Sequence, residues 1–140
     1  MSRITAISFY STVDASSKKT LVSKRINTPF CVKKIRAYFG SAADYGLNLS
    51  FFVSPDSAAP TDARPNGTNL LAEYGQVSYI TGDGQNKLIE IETEVYRKGH
   101  YLKVYAENGT AATVKIDALI TIEIIEEERV RKTKTEALPL

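Results

Sequence analysis

The stretch that most restricts the fold is residues 99–126, and above all the run that closes it. Val114, Ile116, Ala118, Ile120, Ile122 and Ile124 occupy every second position, with Lys115, Asp117, Leu119, Thr121, Glu123 and Ile125 between them. Strict alternation places one set on each face of an extended chain, the pattern of a strand with one face on a core. The run before it matches: Leu102, Val104 and Ala106 alternate with Tyr101, Lys103 and Tyr105. Asn108-Gly109 separates the two runs. Both residue types tolerate positive φ, so the dipeptide suits a two-residue type I′ turn, and the pair reads as a hairpin. Its inner face is ordinary core. Its outer face would bring together Tyr101, Tyr105, Leu119 and Ile125, too apolar a set for a freely solvated sheet.

The same period recurs along the chain. Ile4 to Tyr10, Thr20 to Ile26, Phe30 to Phe39, Leu47 to Ser54, Val77 to Ile80 and Lys87 to Val95 each read as strands. Within Phe30 to Phe39, Val32 is out of phase with Ile35, Ala37 and Phe39. A β-bulge near Lys33-Lys34 would bring all four to the core. Keeping Cys31 inward with Ile35, Ala37 and Phe39 needs no bulge. Leu70 to Tyr74 reads as a short strand or a helical turn. The longest irregular piece, Pro55 to Asn69, carries Pro55, Pro60 and Pro65. Loops of that length often make contacts or carry function; the plainer reading is a crossover between sheets. Asp62 and Arg64 within it, and Asp44 and Tyr45 at the tip of the Gly40 to Gly46 loop, are the loop residues best placed to meet a ligand.

A chain of 140 residues forms one domain and removes roughly two-thirds of its surface from water on folding. Its 43% apolar and 24% charged content is ordinary for a soluble globular protein. One cysteine, Cys31, excludes an intrachain disulfide and a multi-cysteine zinc site. One histidine, His100, leaves little for a metal cage or a relay. Net charge is +2, so broad nucleic-acid binding is not expected. Residues 1–5 lack the apolar run of a signal peptide, and no segment approaches the ~20 apolar residues of a membrane span. Synthesis in a reducing cytoplasm is expected, with use or assembly there. Charge is uneven: residues 1–40 hold eight basic side chains against Asp14, and residues 41–96 hold eight acids against Arg64 and Lys87. This describes two solvated faces of opposite sign, or docking between copies or onto an acidic partner.

Catalytic motifs are absent. There is no phosphate loop and no Gly-x-Ser-x-Gly; Gly82-Asp83-Gly84 does not lead into a helix. Cys31 adjoins a core strand, where free cysteine is usually inert packing, so a Cys31–His100 nucleophile pair is set aside. Glu90, Glu92 and Glu94 share a strand face at a spacing of roughly 6.5–7 Å. That spacing is compatible with glycoside hydrolysis, but any solvated acidic strand looks the same. Asp44 and Asp83 show no calcium-ligand spacing. No enzyme activity and no cofactor are expected. Eight tyrosines without tryptophan fit contact surfaces, or stacking on sugars.

Eight or nine short strands without a convincing helix describe an all-β antiparallel sandwich or barrel. After Glu126 the pattern breaks. Residues 127–140 form a charged tail or arm in which Arg129, Arg131, Lys132, Leu138 and Leu140 are candidates for contact with a neighbour, leaving 1–126 as the sandwich domain. The polar first strand, Phe30 to Phe39, the proline-rich loop and Lys98 to Asn108 leading into a long last strand together resemble a single jelly-roll virion protein. Such proteins decorate, cement or cap capsids of tailed phages and other icosahedral viruses, and they self-assemble, often as trimers. The resemblance implies a jelly-roll-like sandwich in a virion, made in a host cytoplasm. It implies further copies of the chain and a capsid protein as partners, and no membrane. A carbohydrate-binding or receptor-binding sandwich is the alternative, with a glycan as partner.

Overall fold

The structure is a computed structural model and describes residues 2–74 and 77–125. Eight strands run β1 Ser2–Val13, β2 Lys18–Val22, β3 Phe30–Phe39, β4 Leu47–Ser54, β5 Thr68–Asn69, β6 Gln85–Glu90, β7 Tyr101–Asn108 and β8 Val114–Ile125. One short helix, α1 Leu70–Glu73, follows β5. Two four-stranded antiparallel sheets result, ordered β1-β8-β3-β6 and β2-β7-β4-β5. Successive strands alternate between sheets, apart from the β4–β5 pair, which is the strand order of a jelly roll.

The core lies between the sheets, and the alternating residues supply it. Val114, Ile116, Ala118, Ile120 and Ile122 are buried as their period requires. Leu47, Leu49, Phe51 and Val53 face them from β4, and Leu102, Val104 and Ala106 from β7. In β3 the pairing register with β8 shifts between Val32 and Lys34. That bulge carries Val32, Ile35, Ala37 and Phe39 all inward, as the phase break demands. Cys31 is turned the other way, toward Glu123, so the bulge-free alternative does not apply.

β7 and β8 do not form a hairpin. β7 pairs with β2 and β4, whereas β8 pairs with β1 and β3. Asn108-Gly109 is not a type I′ turn, because neither residue has a positive φ. Asn108 is instead a buried pin. Its side-chain amide donates to the carbonyls of Val13, Asp14 and Ala112, and its Oδ1 accepts from the Thr110 N–H and hydroxyl. The chain uses those bonds to step from one sheet to the other.

Smaller differences have local causes. Val77 to Ile80 forms no strand; Ile80 makes only an isolated bridge to Leu49. β6 ends at Glu90, and the Thr93 hydroxyl then takes the Val32 N–H at the bulge. β2 stops at Val22, leaving Ile26 bridged to His100. Leu70–Glu73 resolves as helix because Asn69 Oδ1 caps the N–H groups of Leu71 and Ala72.

Candidate functional site

The two outer sheet faces have different fates. On β2-β7-β4-β5, one would expect Thr20, Ser50, Phe52, Ser54, Lys103 and Tyr105 to meet solvent, yet all are buried. The proline-rich segment, residues 55–67, folds back across them. Thr20 Oγ1 on β2 donates to the Pro60 carbonyl at 2.7 Å. Ser54 Oγ on β4 donates to Asn66 Oδ1 at 2.8 Å. Lys103 on β7 donates to Asp56 Oδ1 at 3.0 Å and reaches Asn66 Oδ1 at 3.4 Å. Three strands are thereby tied to one loop. Lys103 is 0% exposed, so its ammonium depends on these partners. The Asp56 carboxyl is held well below its ordinary value, at about 2, by the Asn66 amide first, then Lys103 and the Ala58 N–H. Gly67 permits the close return: its φ is +111° and a Cβ there would lie 2.3 Å from the Val53 carbonyl oxygen.

This roof changes the reading of the tyrosine face. Tyr105 is buried beneath the loop, and burial raises its hydroxyl pKa, with Glu107 adding to the rise and Arg64 opposing it. Tyr101 is half-buried on the same sheet, opposite Ser54. Leu119 and Ile125 do point outward, but from the other sheet. The four therefore share no surface. Asp62 and Arg64, expected as ligand contacts, are exposed on the roof near Tyr105. Asp44 and Tyr45 are exposed on the β3–β4 loop, both with positive φ. Arg129, Arg131, Lys132, Leu138 and Leu140 lie outside the described residues.

The outer face of β1-β8-β3-β6 has no such cover among the described residues. The pairing registers stack its side chains in rungs. Ile4 stands beside Glu123, which stands beside Cys31. Ala6, Thr121, Lys34 and Glu90 form the next rung, then Ser8, Leu119, Arg36 and Leu88. The last is Tyr10 with Asp117, followed by Tyr38, one residue beyond the Ala37–Ala118 pair, and Asn86. Ile4 is 61% exposed, Tyr10 64%, Leu88 56% and Tyr38 45%. These four are the large apolar side chains that this face leaves exposed.

The charge imbalance along the chain does not become two faces. Basic β3 lies beside Glu90 and Glu92, so both signs mix on this one surface. Lys33 pairs with Glu92 and, at 3.6 Å, with Glu123. Lys34 stands opposite Glu90 in the register. Cys31 and His100 each have another partner. Burial, then the bond to Glu123, pushes the Cys31 thiol pKa up, away from the nucleophilic thiolate. His100 Nδ1 sits 2.7 Å from the Arg97 carbonyl, and the ring packs at a tilt against Tyr96, with centroids 5.9 Å apart.

At one end of the open face, Tyr10 and Tyr38 flank Asp117 from the two neighbouring strands. They form a groove with Ser41, Thr113 and Lys115, walled by the β3–β4 loop. Strand spacing sets the tyrosines about 9–10 Å apart. The Asp117 carboxylate makes no hydrogen bond or ion pair among the described residues. Sequence reasoning missed Ile4, Tyr10, Tyr38 and Leu88 as site residues. The signal was present in the even positions of the first strand, Ile4, Ala6, Ser8 and Tyr10, which are the outward ones.

No family model matches the chain. No curated protein matches it. Among solved structures it is similar in part to a Bacillus endospore appendage, from a family of disulfide-linked pili. The TM-score is 0.42 at 11% identity, over 91% of this chain and 92% of that one. The capsid asymmetric unit of cyanophage Pam1 contains a chain with a TM-score of 0.43 at 7% identity, over 89% and 84%. A chain of infectious bursal disease virus gives 0.37 at 13% identity, over 89% of this chain and 32% of that one. The fold assignment rests on this chain's own strand order. Among the described residues no helix is long and apolar enough to cross a membrane.

Proposed function

We propose that this chain is a structural subunit of a virion-type assembly: a capsid decoration protein, minor capsid protein or fibre-head subunit that acts through protein–protein contact and catalyses nothing. One observation carries the reading. The fold spends a 13-residue loop roofing one sheet, and among the described residues nothing roofs the other, where Ile4, Tyr10, Tyr38 and Leu88 are exposed. A monomer that guarded both faces would not show this contrast. The partners are further copies of the chain and a capsid protein, at the open face.

Sedimentation velocity across a concentration series tests it. The full chain is expected to self-associate, or to co-sediment with a capsid shell. Leu88→Lys combined with Tyr38→Lys is expected to keep the circular dichroism spectrum and weaken the association at least about tenfold, which is 1.4 kcal/mol. A monomer at every concentration that also ignores the shell would remove the reading.

The Tyr10–Asp117–Tyr38 groove favours a second reading, a carbohydrate-binding module. Two aromatic rings flanking a carboxylate without a partner can hold a sugar ring and accept its hydroxyls. Titration with a panel of oligosaccharides, followed by tyrosine fluorescence, is expected to show binding that Tyr10→Ala abolishes. No response across the panel counts against it.

A further inference from the structure

We infer that β1 is the strand by which two copies of this chain join, edge to edge, into one continuous sheet. The inference rests on the assembly reading above and names its partner: the β1 edge of a second copy. A sheet edge offers a row of unpaired backbone N–H and C=O groups, and proteins guard such edges with short strands, charges, prolines or bulges. Three of the four edges here are guarded. β5 is two residues long. β2 is five residues long and carries Lys18 and Lys19. β6 is six residues long and carries Lys87 and Glu90.

β1 differs in every respect. It runs for 12 residues, contains no proline or glycine, and has Arg3 as its only charge. Its register with β8 is unbroken from Ser2 to Val13, so no bulge bends the edge away. Among the described residues, its hydrogen bonds outside the β8 pairing lie at its end: Lys19 Nζ bonds Ser11 Oγ and the Thr12 carbonyl, and Asn108 Nδ2 bonds the Val13 carbonyl. Residues 4–10 carry no charge at all.

That neutrality suits a second copy, because residues 4–10 bring no like charges together across the seam. The pattern also has its own symmetry. A two-fold axis through Ile7 pairs the strands antiparallel, with Ile4 opposite the partner's Tyr10 and Ala6 opposite the partner's Ser8. Two of the most exposed apolar side chains of the open face then cover each other across the seam, as favourable cross-strand pairs do. The same patch serves both copies, as closed two-fold contacts require. The joined sheet runs β6-β3-β8-β1 and back, and the two open faces become one eight-stranded surface.

Hydrogen exchange by NMR on the full chain, at low and high concentration, tests the pairing. Every second backbone amide within residues 4–10 is expected to gain at least tenfold protection as the dimer forms. Ala6→Lys with Ser8→Lys sets four lysines around the axis at two exposed positions. It is expected to give a folded monomer by circular dichroism and sedimentation. Leu88→Lys, three strands away, is expected to leave the β1 protection intact. A dimer whose β1 amides stay unprotected overturns the edge pairing while leaving the open-face reading standing. A monomer overturns the edge pairing, and a monomer that also ignores a capsid shell removes the open-face reading as well. Protection that is concentration-independent, and lost on deleting residues 126–140, assigns the edge to the chain's own tail and also overturns the inference.

Discussion

Lys103→Glu is expected to destabilise the protein by about 3–5 kcal/mol, a large part of the roughly 5–15 kcal/mol that holds a domain folded. Lys103 is wholly enclosed, and its ammonium is answered by Asp56 at 3.0 Å and Asn66 at 3.4 Å. A glutamate there would bury a negative charge against the Asp56 carboxylate, and the 55–67 loop could not close. Lys103→Met is expected to be far milder, within about 1 kcal/mol. It fills similar volume, and the Asp56 side chain is 47% exposed, so its carboxylate can return to water. Urea unfolding of the two variants gives the comparison. Equal losses would mean that the enclosed charge is not what ties the loop down.

The same clamp has an acid limit with a definite sign. The folded Asp56 carboxyl titrates at about 2, below its usual 3.8. A carboxylate depressed by folding adds stability above its unfolded value and loses it as pH falls through its folded value. Stability should therefore decline between about pH 4 and pH 2, and Asp56→Asn should flatten that slope. Parallel slopes in wild type and variant would remove Asp56 from the account.

Asn108→Ala is expected to cost about 2–4 kcal/mol, because a single side chain closes the end of the sandwich. Its two amide hydrogens serve the carbonyls of Val13, Asp14 and Ala112 at 3.2, 3.0 and 2.8 Å. Its Oδ1 takes the Thr110 N–H at 2.9 Å and the Thr110 hydroxyl at 2.7 Å. The side chain is 3% exposed, so water cannot replace what is lost. Asn108→Asp should be worse than alanine at neutral pH, since a carboxylate would face three carbonyl oxygens with no hydrogen to give. Thermal unfolding of both variants gives the ranking. An aspartate as stable as wild type would show that the donor side of the network does not matter.

How far the sequence reached can be judged strand by strand. β4 was legible to its bounds, and the bulge in β3 was legible from one phase break between Val32 and Ile35. Both follow from burial with a period of two, which is local information. The hairpin reading failed on the same evidence. Alternation in Tyr101–Asn108 and Val114–Ile125 says that each strand has a core face, and nothing about which strand lies beside it. Asn108-Gly109 favoured a tight turn, but five hydrogen bonds from one buried amide outweighed that preference.

The candidate site was misplaced for the same reason. Tyr101 and Tyr105 do point away from the core, as their parity requires, yet whether an outward residue meets water depends on what lies over it. The cover comes from Pro60, Asp56 and Asn66, some 35 residues away in sequence or more. By itself the sequence determined the class of fold, the inward set of β4, β7 and β8 and the one phase break, because hydrophobic period is written residue by residue. Only the tertiary structure decided which strands pair, which outer face is roofed and which edge is left open. Those outcomes depend on contacts between distant segments, where one buried lysine and one buried asparagine carry more weight than any local preference.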